Sequence, residues 1–202
     1  MEAQATSSNT TRIFNTETFS AILKWALRPF RNGLTCDIQR SETQTVSQIR
    51  AAANKAEKEW GNSMIGQKSN GNWTTLLGEG LVHDVLAMRG ENPCKPERKN
   101  GYEPDWETDN YIYEVKTRNW TTSGTAGEKV LGVMYKYSEI PELYGKPLRI
   151  VCVGYQEWEL TNGTTQIFGD VGERKRGFLD YAESLGITYI KFSDLASTIP
   201  EE

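Results

Sequence analysis

The sequence predicts a single α/β domain, and three observations carry that prediction. Residues 75–89 repeat apolar side chains at helical spacing and stop at Gly90, after which residues 101–120 alternate like two strands around a short turn. Residues 147–155 include Leu-Arg-Ile-Val-Cys-Val-Gly, a near-continuous apolar run of the kind found in a central strand. A further helical period over residues 173–185 leads into an alternating stretch at 187–192. A length of 202 residues suits one such domain with a modest addition, and six Trp and nine Tyr can fill its core.

The bulk properties bound the function. No run of about 18 apolar residues exists, so no membrane span is expected. Residues 1–11 are rich in Ser, Thr and Asn and lack the basic and apolar regions of a signal peptide. Cys36, Cys94 and Cys152 are widely spaced, which fits reduced thiols in a cytoplasmic compartment better than disulfides or a zinc site. A net charge of −4 argues against indiscriminate nucleic-acid binding, although specific binding needs only local positive charge. No internal repeat, P-loop, nucleophile elbow or dinucleotide fingerprint is present.

Taken in order, residues 1–14 read as disordered and 15–75 as a helical N-terminal part with a loop. Residues 76–192 then form the core, and 193–202 an acidic tail. The first helix spans 16–28, with Phe19, Ile22, Leu23, Ala26 and Leu27 on one side and Pro29 as its stop. The second spans 43–60 on a stripe of Val46, Ile49, Ala53, Ala56 and Trp60, and residues 61–73 are a Gly- and amide-rich loop. Helix 75–89 turns Leu77, Leu81, Val82, Val85, Leu86 and Met88 to the core. Glu79 sits at the edge of that face, and His83, the only histidine, reads as a surface or boundary residue. Residues 92–99 are basic and proline-punctuated.

After the hairpin, 121–127 is a small, polar loop before a helix at 128–140 with Val130, Leu131, Val133, Met134, Tyr137 and Ile140 inward. Residues 156–169 are expected to extend the central strand into a second hairpin around Asn162-Gly163, a strong turn signal. Helix 173–185 is expected to turn Phe178, Leu179, Ala182 and Leu185 inward before Gly186 ends it.

The chemistry concentrates in the first hairpin. In its second strand, alternation sets Tyr111, Tyr113, Val115 and Thr117 on one face and Ile112, Glu114, Lys116 and Arg118 on the other. Asp105, just after Pro104, can lie across from Glu114 and Lys116. Two carboxylates held a few ångströms apart repel, and a divalent cation between them relieves this. Hard oxygen ligands favour Mg²⁺ or Mn²⁺ over zinc. A lysine beside the cation can orient or deprotonate water, or stabilise a developing oxyanion. An exposed hairpin can also carry Glu and Lys as an ordinary surface pair.

Pro104-Asp105, eight intervening residues and Glu114-Val115-Lys116 resemble the PD-(D/E)xK nuclease signature of type II restriction endonucleases. The order helix, hairpin, helix, buried strand is similar to the αββαβ part of the restriction-endonuclease-like core. The resemblance implies a mixed sheet with helices on both faces, preceded here by two extra N-terminal helices. It implies that Asp105 and Glu114 hold Mg²⁺, which Mn²⁺ can replace, together with the Val115 carbonyl. Lys116 would then position or activate the attacking water, leaving 5′-phosphate and 3′-hydroxyl ends. Such nucleases often add a glutamate from the preceding helix, and Glu79 occupies that place. It can equally be a solvent-facing helix residue.

The implied partner is double-stranded DNA, bound by a homodimer of bacterial, phage or viral origin. Gln67, Lys68, Asn70 and Asn72 in the amide-rich loop are candidate contacts, as are Arg118, Asn119, Ser123, Thr125 and Lys129 around the strand exit. Plain solvated loops are the alternative for both segments. A junction-resolving repair or recombination nuclease on the same fold is the nearest rival. A non-catalytic DNA-binding module and a glycosidase using the Glu114–Asp105 pair stand further off.

Overall fold

The expected alternation at 106–118 becomes a hairpin in the computed structural model, which describes residues 11–29, 45–66, 72–121 and 126–199. Strand β1, Trp106–Glu107, runs antiparallel to β2, Ile112–Arg118, with Trp106 opposite Tyr113 and Glu107 opposite Ile112. The turn closes through Thr108 N–H donating to the Tyr111 carbonyl at 2.9 Å. The apolar run is β3, Leu148–Gly154, parallel to β2, and β4, Ile187–Lys191, is parallel to β3. The result is a four-stranded mixed sheet in the order β1-β2-β3-β4.

Side-chain alternation on β2 and β3 assigns the two faces. Tyr113, Val115, Val151 and Val153 pack with α1, Thr16–Ala26, and α3, Trp73–Met88. Ile112, Leu148 and Ile150 turn the other way and meet Val133, Tyr137, Ile140 and Ala182. Those partners come from α5, Val133–Lys136, and its C-cap Tyr137, from α6, Ile140–Tyr144, and from α8, Glu173–Ser184. Cys152 packs with Val130 of α4, Ala126–Leu131, and with Leu160 of α7, Tyr155–Asn162. Burial on both sides explains the continuous apolar run of β3.

Helix α3 is buried around most of its circumference, from Gly80 through Leu86 without a break. Gly78 is what brings it onto the sheet: a Cβ there would lie 1.6 Å from Thr117 Oγ1. Behind α3, the buried Asp84 carboxylate accepts the N–H groups of Ile13 and Phe14 at 2.6 and 2.8 Å and faces His83 Nδ1 at 2.9 Å. This anchors residues 13 and 14, and it corrects the surface placement expected of His83, which is buried against the Trp106 ring.

Several sequence expectations change. Residues 155–162 form α7, not a hairpin, because Gly154 ends β3 at φ +66° and Asn162-Gly163 stops a helix, with Gly163 N–H donating to the Glu159 carbonyl at 2.7 Å. The single helix expected at 128–140 is instead broken at Gly132, a poor helix former, resumes as α5 at Val133, and after a second break restarts at Ile140-Pro141 as α6. Helix α2, Val46–Met64, starts on a Thr45–Gln48 capping box and runs on into the expected loop. Residues 193–196, expected as tail, instead belong with Phe192, expected to end the last strand, to α9, Phe192–Ala196, which buries Phe192 and Leu195. On α8 the expected inward face is met by Ala182, which is buried, and Leu179, which is half-buried, while Phe178 is 70% exposed and Leu185 also faces outward. Among the described residues no helix is long and apolar enough to cross a membrane.

The contact at Gly78 is testable. Gly78→Ala should destabilise the protein by about 1–3 kcal/mol in urea titrations, the usual cost of overpacking. Adding Thr117→Ala should recover part of that loss, and strict additivity of the two changes would refute the contact.

Candidate active site

The hairpin register decides where the acidic residues meet. Trp106 lies opposite Tyr113, so the preceding residue, Asp105, falls opposite Glu114. The Asp105 N–H donates to the Tyr113 carbonyl at 3.0 Å, and Val115 N–H donates to Asp105 Oδ2 at 2.6 Å. Asp105 is therefore held by backbone at both ends. Pro104 before it disfavours helix at residue 103 and contributes no donor of its own.

Glu114 is 3% exposed. Its Oε1 accepts from Lys116 Nζ, two residues along on the same face, and its Oε2 is buried without a hydrogen-bond partner. Burial, then the carboxylates of Glu114 and Glu79, push the Asp105 carboxyl up to about 8, against the opposing pull of Val115 N–H and the Lys116 ammonium. Burial, then the charge of Glu114 and a hydrogen bond to it, then the charge of Asp105, raise the phenol of Tyr137, on the facing α5–α6 turn. Burial likewise raises the Cys152 thiol, whose residue pairs with Lys116 across β2 and β3.

Glu79 reaches this group electrostatically and is oriented elsewhere. Its Oε2 accepts from Lys95 Nζ at 3.3 Å, while that ammonium lies 4.1 Å over the Trp106 ring. The Trp106 indole N–H donates in turn to the Glu79 carbonyl at 2.9 Å. With Glu79 on Lys95, Glu114 on Lys116 and Asp105 on Val115, no three His, Cys, Asp or Glu side chains among the described residues stand grouped as a metal site. The donors that converge are Asp105 and Glu114. The unpartnered buried Glu114 oxygen and the proton that burial and repulsion hold on Asp105 are what a cation at that point would relieve, so this pair and the Val115 carbonyl fit a hard divalent ion.

The candidate DNA contacts separate. Arg118 is buried, paired with Glu159 and lying 4.8 Å over the Tyr155 ring, so it fastens α7 to β2. Asn119 Nδ2 donates to Thr121 Oγ1 at 2.9 Å and to Glu57 Oε2 at 3.3 Å. Asn72 is exposed at the start of α3, and Lys129 is exposed near Lys116. Gln67, Lys68, Asn70, Ser123 and Thr125 lie outside the described residues.

Three residues near the site escaped the sequence reading. Glu57 is buried on α2 and accepts Trp25 Nε1 at 2.8 Å, Trp120 N–H and Thr121 N–H at 3.0 Å each, and Thr121 Oγ1 at 2.6 Å. It follows Ile49 and Ala53 at intervals of four, a spacing that continues the helix stripe. Tyr137 was read as an inward residue, with no link to the carboxylates. Gln156 is buried with its Nε2 unpartnered, and its segment had been read as a strand. Compared with protein-family models, curated proteins and solved structures, the chain has no significant match.

The Asp105 carboxyl supplies a pH test. Its pKa lies near 3.8 when unperturbed and about 8 in the fold, so the stability it contributes is full below 3.8 and lost as pH rises through about 8. Thermal melts should show wild type losing stability relative to Asp105→Asn across that window, with Mg²⁺ narrowing the gap on the alkaline side. Parallel pH profiles for the two proteins would contradict the raised carboxyl.

Proposed function

We propose that the chain is a Mg²⁺-dependent, sequence-specific endonuclease acting on double-stranded DNA, built on a restriction-endonuclease-like core. The observation that carries this reading is the convergence of Asp105, Glu114 and Lys116 on β2, the strand with an antiparallel neighbour on one edge and a parallel one on the other. The helix–hairpin–helix–strand order around it supports the same fold assignment. Asp105, Glu114 and the Val115 carbonyl would hold the cation. When bound, Mg²⁺ supplies Lewis-acid polarisation of the phosphoryl oxygen and neutralises developing charge.

The rest belongs to the chain. Lys116, half-buried beside Glu114, orients the attacking water and stabilises negative charge as it forms. Water attacks phosphorus in line, the bond to the 3′ oxygen breaks, and 5′-phosphate and 3′-hydroxyl ends result. Glu79 acts from outside the pair, through its charge on Asp105. Two strands need two such sites, so a homodimer is the assembly this reading implies.

Asp105→Ala or Glu114→Ala should abolish cleavage of unmethylated plasmid in Mg²⁺ while leaving the thermal transition cooperative. Retention of wild-type cleavage to within about tenfold, some 1.4 kcal/mol of barrier, would reject the assignment. Ca²⁺, larger and geometrically looser, should support binding without turnover. Branched DNA cut in preference to plain plasmid would favour the junction-resolving alternative.

Glu79→Gln should raise the Mg²⁺ concentration needed for half-maximal cleavage and slow turnover. An unchanged metal titration would return Glu79 to a purely structural pairing with Lys95.

A further inference from the structure

Beside Lys116, on the face of the sheet opposite α3, lies a cavity of about 200 Å³ lined by Lys116, Thr117, Arg118, Lys129, Val130, Val133 and Gln156. Its construction begins at Gly154. That residue ends β3 at φ +66°, and a Cβ there would stand 3.0 Å from the Arg118 carbonyl, so glycine lets the chain turn tightly under β2 into α7. The turn delivers Gln156 beneath the exit of β2. Gln156 is 3% exposed, and its Nε2 is buried with no hydrogen-bond partner.

An unpaired buried amide is costly, and a core that needed only filling would be served better by an apolar residue. Two ammonium groups line the same cavity: Lys116 from the acidic pair and Lys129, exposed at the rim. Gln156, with its buried Nε2, thus stands in the wall of a cavity that carries two cations, and its other walls include Val130 and Val133, which offer no competing acceptor. That chemistry suits a tetrahedral oxyanion.

We propose that this cavity holds a phosphate of the nucleic-acid substrate, adjacent to the reacting phosphodiester, with Gln156 Nε2 and Lys129 as its donors. The inference rests on the nuclease reading and deepens it. It makes Gln156 a positioning residue that satisfies its own buried donor only when substrate is bound. Free phosphate carries the same chemistry, so the test must separate the two sources.

Gln156→Leu and Gln156→Met remove the donor while keeping bulk. Both should melt at or above the wild-type temperature, because each deletes an unsatisfied buried group. Both should bind a duplex oligonucleotide in Ca²⁺ about tenfold more weakly, the loss expected for a hydrogen bond to a charged group. Lys129→Met should also lower the slope of log affinity against log salt by about 0.9, whereas the Gln156 variants should leave that slope unchanged. The side-chain amide resonance of Gln156, identified by its absence from the Leu variant, should move on adding duplex.

If wild type cuts DNA while Gln156→Met binds duplex as tightly as wild type, the inference fails and the nuclease reading stands. If DNA is neither cut nor bound but inorganic phosphate moves the Gln156 resonance, the nuclease reading fails and the cavity takes free phosphate. An amide resonance unmoved by duplex and by inorganic phosphate overturns the site altogether.

Discussion

Parallel pairing with β3 on one edge and helices on both faces commit β2 to burial, and that commitment governs every polar group the strand carries. Glu114, Lys116 and Arg118 share one face of it. A strand so placed usually reads as unbroken apolar sequence, as β3 does. Each charge on β2 must instead be met locally: Glu114 by Lys116, Arg118 by Glu159 and the Tyr155 ring. Hydrophobic replacement of buried pairs is often neutral or stabilising, so folding alone gives little reason to keep them here. For the Glu114–Lys116 pair, the place beside Asp105 supplies a chemical one on the proposed reading.

The hairpin holding Asp105 is short, two residues on its first strand, and depends on what lies behind it. Trp106 is clamped by its N–H on the Glu79 carbonyl and by the Lys95 ammonium over its ring. His83 also packs against that ring, 4.7 Å between centroids, and is itself fixed by Asp84. Asp84 also ties the chain at Ile13 and Phe14, so the N-terminal segment, α3 and the hairpin form one connected support. Glu57 performs a parallel task at the far end of β2, where it gathers the backbone of Trp120 and Thr121 against α1 and α2. Buried carboxylates thus fix both ends of the strand. The Glu57→Ala change would leave five N–H donors, from Trp25, Arg28, Asn119, Trp120 and Thr121, without this acceptor.

The hairpin, α3, β3 and β4 were legible because their burial follows simple periods, and the Asp105–Glu114 opposition followed from alternation and a short turn. The misses have physical causes. Asn162-Gly163 carries the same residues in a hairpin turn and at a helix stop, and only the three-dimensional position of Gly154 selects the helix. Helix α8 packs through Ala182 and Leu179 and leaves the larger Phe178 outward, so hydrophobicity alone overstates its buried face. Glu57 and Gln156 are polar residues at buried positions; the partners of Glu57 are distant in sequence, and Gln156 Nε2 has none. Local pattern has no access to either circumstance.

The charge balance of the acidic pair supplies the last step. Without a cation, the Lys116 ammonium neutralises Glu114, and a proton held until about pH 8 neutralises Asp105. One ammonium and one proton thus occupy the two acceptors that the nuclease reading assigns to Mg²⁺. On that reading, loading the site must expel the Asp105 proton and release Lys116 from Glu114, the same side chain needed to orient water. Lys116 also faces the cavity of Gln156 and Lys129, so its release turns a cation toward the place where a substrate phosphate would sit. Metal affinity and substrate affinity are then coupled through one side chain. Such coupling is reciprocal, so DNA should tighten the site's hold on the ion as much as the ion tightens DNA.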